Sequence, residues 1–411
     1  MMDRADVVVI GGGVLGASTA LHLNLSGVER VVLLERDGLA QGTTAAGGGL
    51  VGVAAPALGW GTEEDRLERY GIEFYGALAA DGYEFGWRPN GMLWAVTPGA
   101  PDSALPEALL DPERAPENHR VSAEDIEEMT GVIPAERVAG GIFHPVGGRL
   151  SARDAALALA RRFAELGGIV DERRPVTGLV RDGERVTGVE TNRGPIAADA
   201  VVLAAGSWTN ELLAQVGFRA PMVTLVATRI ITNPIGVPPT FPALMMFEFE
   251  YFWAREEGGG LLYGSNYEGV PRYAFVDQPI PPRFAEMPID GALETQRVGQ
   301  AAARAIPALG RYTTSTVAHG GPTYTPDTRG LVGAIPGTQG LFMVGGCNEC
   351  GVTHGPGFGR LAADLVTGAE TLVDARPFAP GRFGDRYPTG ESIARARSVT
   401  GDHPIDGVPG A

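Results

Sequence analysis

The first 35 residues carry the clearest pattern of apolar positions in the chain. Residues 7–10 form a continuous apolar run, which is typical of a parallel strand buried on both faces. Apolar residues then recur at helical spacing over residues 14–23, and Ser26-Gly27 follows as a stop. A second apolar run, residues 31–34, ends at Glu35. The pattern therefore predicts a strand–helix–strand unit at the start of the chain.

Three glycines join the first strand to this helix in the G-x-G-x-x-G spacing. Gly11 permits a tight turn, Gly13 lets a pyrophosphate approach the backbone, and Gly16 lets the helix lie close to the sheet. The helix amides and the positive end of its dipole would face the phosphates. Glu35 can accept hydrogen bonds from ribose hydroxyls and repels a 2′-phosphate, which favours FAD or NAD over NADP. The alternative is a tight turn that binds nothing, and the presence of both strands, the helix and the acid disfavours it.

The middle of the chain predicts a return to this sheet and then a second, β-rich region. Residues 176–199 alternate as short antiparallel strands. Residues 201–206 form an apolar strand that ends in small residues, which suits a buried parallel strand beneath the dinucleotide. From residue 221 to about 268 the pattern again favours strands. The pattern therefore predicts that the nucleotide fold resumes after an insertion.

Two glycine-rich stretches suggest close contact with a bound group. Residues 42–49 follow the strand that carries Glu35, and a loop of small residues and hydroxyls there can pass close to a flat group and donate to phosphate. The alternative is a flexible surface loop. Near the end of the chain, a strand at residues 341–344 runs into the glycine-rich residues 345–357. A helix over residues 358–366 closes the fold.

Composition narrows the class of protein. The chain has 411 residues, 44% of them hydrophobic, which is enough for a large core in two lobes. A formal net charge of −16 argues against nucleic acid and anionic membrane surfaces as partners. Two cysteines cannot build a disulfide framework or a four-cysteine zinc site, and we expect no metal. No apolar run approaches a membrane span, and the first strand begins too early for a signal peptide, so we expect a cytoplasmic protein.

Three blocks of sequence resemble the D-amino-acid oxidase / glycine oxidase / sarcosine oxidase superfamily of FAD-dependent amine oxidases. They are the opening dinucleotide unit with residues 42–49, the strand at residues 201–206, and residues 321–357. Within the last block, Gly321-Pro322-Thr323-Tyr324-Thr325-Pro326-Asp327 most resembles the sarcosine and dimethylglycine oxidase/dehydrogenase branch. The order of the blocks is specific, whereas any single block is not.

The resemblance implies an α/β plus α+β fold. A Rossmann-like FAD-binding domain of the GR2 type would carry a discontinuous substrate domain built on an antiparallel β-sheet. The expected boundaries are residues 1–85, 146–216 and 319–380 for the FAD-binding domain, residues 86–145 and 217–318 for the substrate domain, and residues 381–411 for a C-terminal extension.

The motifs and the resemblance together imply the FAD contacts. The loop at residues 350–355, at the N-terminus of the last helix, would face the pyrimidine edge of the flavin. A helix N-terminus there would stabilise the anionic reduced ring by up to about 1–2 kcal/mol. The expected cofactor-binding residues are Gly11, Gly13, Val14, Leu15, Gly16, Glu35, Arg36, Thr43, Thr44, Gly47, Gly48, Val176, Ala205, Gly206, Trp208, Gly346, Cys350, Gly351, Val352 and Thr353.

The chain departs from the family pattern at several functional positions. Members with covalent flavin carry a Cys or a His where this chain has Gly321-Pro322 and Ala45-Ala46, so we predict noncovalent FAD. The carboxylate-binding Arg of glycine oxidases falls at Gly321 or Pro322, and the flavin-loop Lys of sarcosine oxidases falls at Thr353. Both familiar carboxylate anchors are therefore missing. Another Arg could bind the carboxylate, or the substrate is larger and held elsewhere.

Candidate substrate-site residues follow from these gaps. Arg255 and Arg88 are candidate carboxylate anchors, with a solvated or structural Arg as the alternative. Tyr251 and Trp253 share a strand face with Arg255 by period-two alternation and, with Tyr324, could line the substrate pocket; the alternative is packing in the lobe core.

The flavin loop adds further candidates. His354 could shuttle protons or brace the loop, and Thr353 is the other candidate catalytic residue. Cys347-x-x-Cys350 could form a redox dithiol, although packing residues are the favoured interpretation.

The sequence thus predicts an FAD-dependent oxidase of an N-substituted amino acid. The neutral amine would pass a hydride from its α-carbon to flavin N5, the imine would hydrolyse, and molecular oxygen would reoxidise the flavin to give peroxide. An N-carboxymethyl amine is the expected small-molecule substrate class. The alternatives are a dehydrogenase with another electron acceptor, a NAD-binding reductase, and a non-catalytic flavoprotein that binds a partner.

Overall fold

The computed structural model describes residues 3–100, 105–246, 252–264, 274–275, 278–284, 291–311 and 315–399. Within these ranges the strands are β1 Arg4–Ile10, β2 Val31–Leu34, β3 Leu50–Val51, β4 Met92–Val96, β5 His119–Val121, β6 Gly140–His144, β7 Gly148–Arg149, β8 Ile169–Asp171, β9 Val176–Asp182, β10 Arg185–Thr191, β11 Ile196–Leu203, β12 Val223–Leu225, β13 Ala227–Thr232, β14 Ala243–Met246, β15 Phe252–Glu257, β16 Gly260–Gly264, β17 Ala274–Phe275, β18 Ser315–Gly320, β19 Thr323–Tyr324, β20 Leu331–Ala334 and β21 Leu341–Gly345. The α-helices are α1 Val14–Leu25, α2 Thr62–Ala80, α3 Ala123–Thr130, α4 Ala152–Glu165, α5 Thr209–Leu213, α6 Gly291–Ala302, α7 Gly351–Thr367 and α8 Gly390–Val399.

The first large sheet contains the predicted strand–helix–strand unit. Its order is β20-β21-β11-β1-β2-β8, with β10 and β9 added beside β11. Strands β21, β11, β1, β2 and β8 are parallel, and β20 is antiparallel to β21. In β1, Val7 and Val9 pack toward α1, α4 and α7, whereas Val8 and Ile10 pack toward β10 and α5. Both faces are covered, which explains why the strand reads as a continuous apolar run.

The turn after β1 requires its glycines. Gly11 has φ of +111°, a region that side chains rarely adopt. A Cβ atom on Gly16 would lie 1.8 Å from the Gly11 carbonyl oxygen, so only glycine lets α1 approach the turn this closely. The predicted roles of these two glycines in the turn and in helix packing agree with the backbone geometry.

The second large sheet has the order β18-β13-β16-β15-β14-β4-β6-β5. Its neighbouring strands are antiparallel except for β14 and β4, which pair in parallel with Ala243 opposite Met92. The parallel pair arises because two separate segments of the chain enter this sheet. One face packs against α3 and α6. The predicted combination of a Rossmann-like sheet with a discontinuous second sheet is confirmed, and the exact domain boundaries stay a prediction.

The C-terminal segment contributes to packing. Helix α8 buries Ile393 and Ala394 against Val223, Leu225 and Tyr324. Residues 400–411 of the expected C-terminal extension lie outside the described residues. No described helix combines the length and the apolar character that crossing a membrane requires.

Two buried histidines are held neutral by their surroundings. His22 Nδ1–H donates to the Ser18 carbonyl (2.8 Å), and its Nε2 accepts from the Tyr70 hydroxyl (2.9 Å). His144 Nε2 accepts from the Val53 amide (3.3 Å), and its Nδ1–H donates to Asn118 Oδ1 (2.5 Å). Burial lowers the pKa of both imidazoles from 6.5 to about 4.

These histidines predict acid sensitivity of the fold. In the unfolded chain each binds a proton near pH 6.5, but in the folded protein only near pH 4, so folding is favoured above pH 6.5 and loses stabilisation as the pH falls toward 4. The full effect is about 3 kcal/mol per histidine. Urea unfolding of the His144→Gln variant should show a shallower loss of unfolding free energy between pH 7 and pH 4.5 than the wild type. The exposed His119→Gln control should follow the wild type, and an unchanged pH dependence in His144→Gln would contradict the assignment.

Candidate cofactor and substrate site

A cavity of about 1300 Å³ lies between the two large sheets. Its walls include the carboxyl ends of β1 and β2, the loop at residues 42–49, the start of α7, and one face of the second sheet. The predicted cofactor residues that line it are Gly11, Gly13, Val14, Leu15, Glu35, Arg36, Thr43, Thr44, Gly47, Gly48, Val176, Ala205, Gly206, Trp208, Cys350, Gly351, Val352 and Thr353. Their roles as individual FAD contacts stay a prediction.

Two predicted residues lie outside this lining. Gly16 packs against the Gly11 turn, as described above. A Cβ atom on Gly346 would lie 2.6 Å from Thr325 Cγ2, so Gly346 serves close packing behind the loop. Asn348 secures this region, because its Nδ2 donates to the Gly346 carbonyl (2.6 Å) and its Oδ1 accepts from the Thr325 amide (3.0 Å).

Glu35 is fixed at the end of the cavity where a dinucleotide motif places a ribose. Its Oε2 accepts from the Gly12 amide (2.7 Å) and its Oε1 accepts from the Asp37 amide (2.9 Å). The side chain lines the cavity, so the remaining lone pairs can accept from ribose hydroxyls. Thr44 Oγ1 accepts from the Val14 amide (3.1 Å) and keeps its own proton for a phosphate oxygen. This donor and acceptor set fits an adenine dinucleotide.

Aromatic and basic side chains form the wall of the cavity at the Glu35 end. The Arg36 guanidinium lies over the Trp208 ring, 4.5 Å from its centroid, and Nη2 donates to the Pro282 carbonyl (2.6 Å). Trp208 Nε1 donates to the Pro281 carbonyl (3.2 Å). These contacts join the first sheet to the segment at residues 278–284.

The loop at residues 43–49 is tethered by two arginines of the second sheet. Arg229 Nη2 donates to the Ala45 carbonyl (2.5 Å), and Arg255 Nε donates to the Gly48 carbonyl (2.6 Å). Thr43 Oγ1 donates to the Gly321 carbonyl (3.0 Å). The loop therefore has fixed carbonyl groups on its outer side and presents its small residues to the cavity. Arg229 was not identified as a functional residue from the sequence. The sequence indicated only that it lies in a region predicted to form strands.

The two candidate carboxylate anchors are not in the cavity, which corrects the prediction. Arg255 is 3% exposed, and its guanidinium is used by Gly48, by the Glu256 carbonyl (2.9 Å) and by the Glu257 carboxylate. Arg88 is exposed and donates to the Trp87 carbonyl (3.0 Å). The described contacts of Arg255 are all within the protein, and Arg88 is exposed.

The first turn of α7 faces the cavity through residues 350–353. Pro356 has no N–H, so the Val352 carbonyl loses its helical partner, and the Tyr75 hydroxyl donates to it instead (2.9 Å). Burial raises the pKa of Tyr75 far above its ordinary value, which keeps it a neutral donor. The hydroxyl of Thr353, a candidate catalytic residue, donates to the Leu50 carbonyl (3.1 Å). These bonds fix the helix end whose first amides have no partner within the helix.

The opposite end of the cavity is aromatic and apolar. Cross-strand pairing places Trp94 opposite Met245 and Met245 opposite Trp253, and all three line the cavity. The Trp253 ring covers both Gly264 and Gly48, since a Cβ on either would lie within 2.8 Å of it. Tyr324 also lines the cavity and is 3% exposed, whereas Tyr251 lies outside the described residues. Trp94 and Met245 were missed from the sequence, because their row depends on pairing between distant strands.

His354 follows residues 350–353 on α7 but does not itself line the cavity. It is 3% exposed, stacks on Phe358 with ring centroids 4.8 Å apart, and lies 5.3 Å from the Trp60 ring. Its Nε2 is 3.5 Å from Oε1 of Glu68, a fully buried residue that does line the cavity. Glu68 was not identified as a site residue from the sequence, because the pattern of residues around it is that of a charged, solvent-facing position on an amphipathic helix.

The two cysteines are half-buried free thiols in the wall of the cavity. Burial raises the pKa of Cys347 to about 11 and that of Cys350 well above its ordinary value, so neither is a thiolate at neutral pH. Across the described ranges, no group of three or more His, Cys, Asp or Glu side chains is placed to bind a metal ion.

Known proteins resemble this chain over nearly its whole length. A sequence model of the family described as "FAD dependent oxidoreductase" (DAO) matches residues 6–365. Glycine oxidase from Pseudomonas aeruginosa is 32% identical over 391 residues, which cover 91% of this chain and 98% of that protein. Mitochondrial dimethylglycine dehydrogenase from Homo sapiens is 28% identical over 421 residues, which cover 99% of this chain but only 48% of that protein. The chain thus spans about half the length of that relative.

A solved structure shows the shared fold. The crystal structure of L-proline dehydrogenase from P. horikoshii matches with a TM-score of 0.81 at 23% sequence identity. The match covers 93% of this chain and 98% of that one.

Glu35→Gln should weaken FAD binding about tenfold, the equivalent of about 1.4 kcal/mol. The amide cannot accept both the Gly12 and the Asp37 amide bonds and has no charge to offer the ribose hydroxyls. Titration of the FAD-free protein with FAD, followed by flavin fluorescence, measures the dissociation constant. The exposed Glu29→Gln is the matched control and should bind as the wild type does. Equal affinity of Glu35→Gln and wild type would contradict the placement of the ribose.

Proposed function

The chain belongs to the family of FAD-dependent oxidoreductases, as its motifs predict, and from this premise we propose that it oxidises an N-substituted amino acid of the N-carboxymethyl amine type. The observation that carries the proposal is one continuous cavity that joins the Glu35 end to the aromatic end. The adenine dinucleotide would occupy the first end and the substrate the second. The relatives named for glycine and dimethylglycine support a substrate with a glycine unit.

Each wall of the cavity has a part in this reaction. FAD, when bound, supplies the acceptor for the hydride that leaves the substrate α-carbon. The first amides of α7 and its dipole would stabilise negative charge at this place in the cavity. Loop residues 43–49, tethered by Arg229 and Arg255, hold a flat ring in place without side chains that would obstruct it. Trp94, Met245 and Trp253 exclude water and orient the carbon–hydrogen bond to be broken.

The charges of the cavity support a substrate with a sizeable N-substituent. The sequence contains no lysine, so its 33 Lys and Arg residues are all arginines. Those among the described lining residues are Arg36, Arg174 and Arg283, at or near the dinucleotide end. The described residues of the aromatic end therefore offer large apolar surface and no guanidinium. A substrate whose affinity comes mainly from burying its N-substituent fits this wall.

Three finer features belong to the proposal and rest on the sequence. They are noncovalent attachment of FAD, molecular oxygen as the electron acceptor, and a cytoplasmic location. The acceptor has a second candidate, because one relative is named an oxidase and another a dehydrogenase. In the dehydrogenase alternative, electrons pass to another acceptor and little peroxide forms.

An anaerobic amine panel tests the proposed function. N-alkylglycines with large apolar N-substituents should bleach the absorbance of the oxidised flavin and should do so at lower concentrations than glycine, because they fill the aromatic end. The matched control is the corresponding N-alkyl amine without a carboxylate. Admission of air should then restore the colour and release about one peroxide per turnover.

The outcomes separate the candidates. Bleaching without peroxide in air would favour the dehydrogenase alternative. A yellow protein that none of the amines bleaches would overturn the proposed activity while leaving the cofactor site intact.

A further inference from the structure

A buried acid–base pair lies beside the flavin-side loop. Glu68 on α2 is unexposed, and His354 on α7 is 3% exposed, with Glu68 Oε1 3.5 Å from His354 Nε2. Glu68 Oε2 accepts from the Ala55 amide (3.0 Å), but Glu68 Oε1 and both ring nitrogens of His354 are buried without a hydrogen bond. Burying such groups without full partners is costly, so the arrangement requires an explanation beyond packing.

The position of the pair connects it to the cavity. Glu68 contributes to the cavity lining, and His354 lies in the first turn of α7, one residue after Thr353. Residues 350–353, which form the N-cap and the first residues of α7, also line the cavity. The pair therefore lies directly behind the helix end that faces the proposed flavin site.

Other charges around the pair already have partners. On α2, Glu64 pairs with Arg329 (3.1 Å), and Asp65 binds Arg114 through two bonds of 2.6 and 2.8 Å. On the α7 side, the nearby titratable groups are the Cys347 and Cys350 thiols and the exposed Glu349. Burial raises the pKa of Glu68, and a thiol beside it is disfavoured as an anion. Glu64 Oε1 also lacks a hydrogen bond, but Glu64 is paired with Arg329, whereas among the described residues Glu68 and His354 have only each other as charged partners.

We propose that the Glu68–His354 pair takes up one proton from solvent when the bound flavin is reduced. The inference rests on the proposed function only in requiring bound FAD. Two electrons and one proton convert the oxidised flavin to its reduced anion, and the second proton adds to the Glu68–His354 pair. The electrons come from the amine in turnover or from a chemical reductant in the test. Glu68 and His354 act as positioning residues, since they offset the new negative charge through the end of α7.

The proposed proton has a thermodynamic signature. For a two-electron couple, each proton taken up lowers the midpoint potential by about 30 mV per pH unit. Two protons give about 59 mV per pH unit. The dependence on pH therefore counts the protons without requiring any amine substrate.

The test measures the midpoint potential of the FAD-loaded protein between pH 7 and pH 9 with a reference dye and a slow enzymatic reductant. The reduced spectrum identifies the range in which the flavin itself is an anion. In that range the midpoint potential of the wild type should fall by about 59 mV per pH unit. The midpoint potentials of Glu68→Gln and His354→Gln should fall by only about 30 mV per pH unit. Glu73→Gln is the matched control from the same helix, because Glu73 is exposed and does not line the cavity, and it should follow the wild type.

Two results would overturn the proposal. One is a midpoint potential of the wild type that falls by only about 30 mV per pH unit. This result needs no variant, so it overturns the proposal even if a variant fails to fold. The other is a change of about 59 mV that survives in both variants. Failure to reduce the flavin with any amine would instead refute the proposed function and leave this test unaffected.

Discussion

The cavity depends on the hydrogen bonds that hold the loop at residues 43–49 between the two sheets. A loop of glycine, alanine and threonine has high conformational freedom in the unfolded chain and little side-chain packing to order it. Arg229 and Arg255 bind its carbonyl groups from the second sheet, while Thr44 binds α1 of the first. The same contacts that order the loop connect the sheets. The tethers also explain why Arg255 is unavailable to a substrate carboxylate.

The second fixed element is the start of α7. Its sequence is rich in glycine and contains Pro356, which would weaken an isolated helix. The glycines are useful here because they let α2 approach: a Cβ on Gly357 would lie 2.7 Å from the Leu67 carbonyl. Pro356 frees the Val352 carbonyl, and Tyr75 binds it. A helix end built in this way presents unpaired amides at a defined place, which suits a ring that becomes negatively charged.

The sequence predicted those parts that depend on local pattern. The opening unit follows from apolar periodicity and glycine spacing within residues 7–35, and its strands and its turn agree with the structure. The row of Trp94, Met245 and Trp253 could not be found this way, because a parallel pairing between distant segments creates it. Arg229 and Glu68 were missed for a related reason. A charged residue in a strand or on an amphipathic helix reads as solvated until tertiary structure shows what it binds or what covers it.

The central claim is that an adenine dinucleotide spans the cavity from Glu35 to the first turn of α7. A crystal structure of the protein with FAD bound tests it most directly. The account predicts a ribose hydroxyl within hydrogen-bond distance of the Glu35 carboxylate and the pyrimidine edge of the flavin against the amides at residues 351–353. A ribose bound away from Glu35, or a flavin whose pyrimidine edge points away from α7, would contradict it.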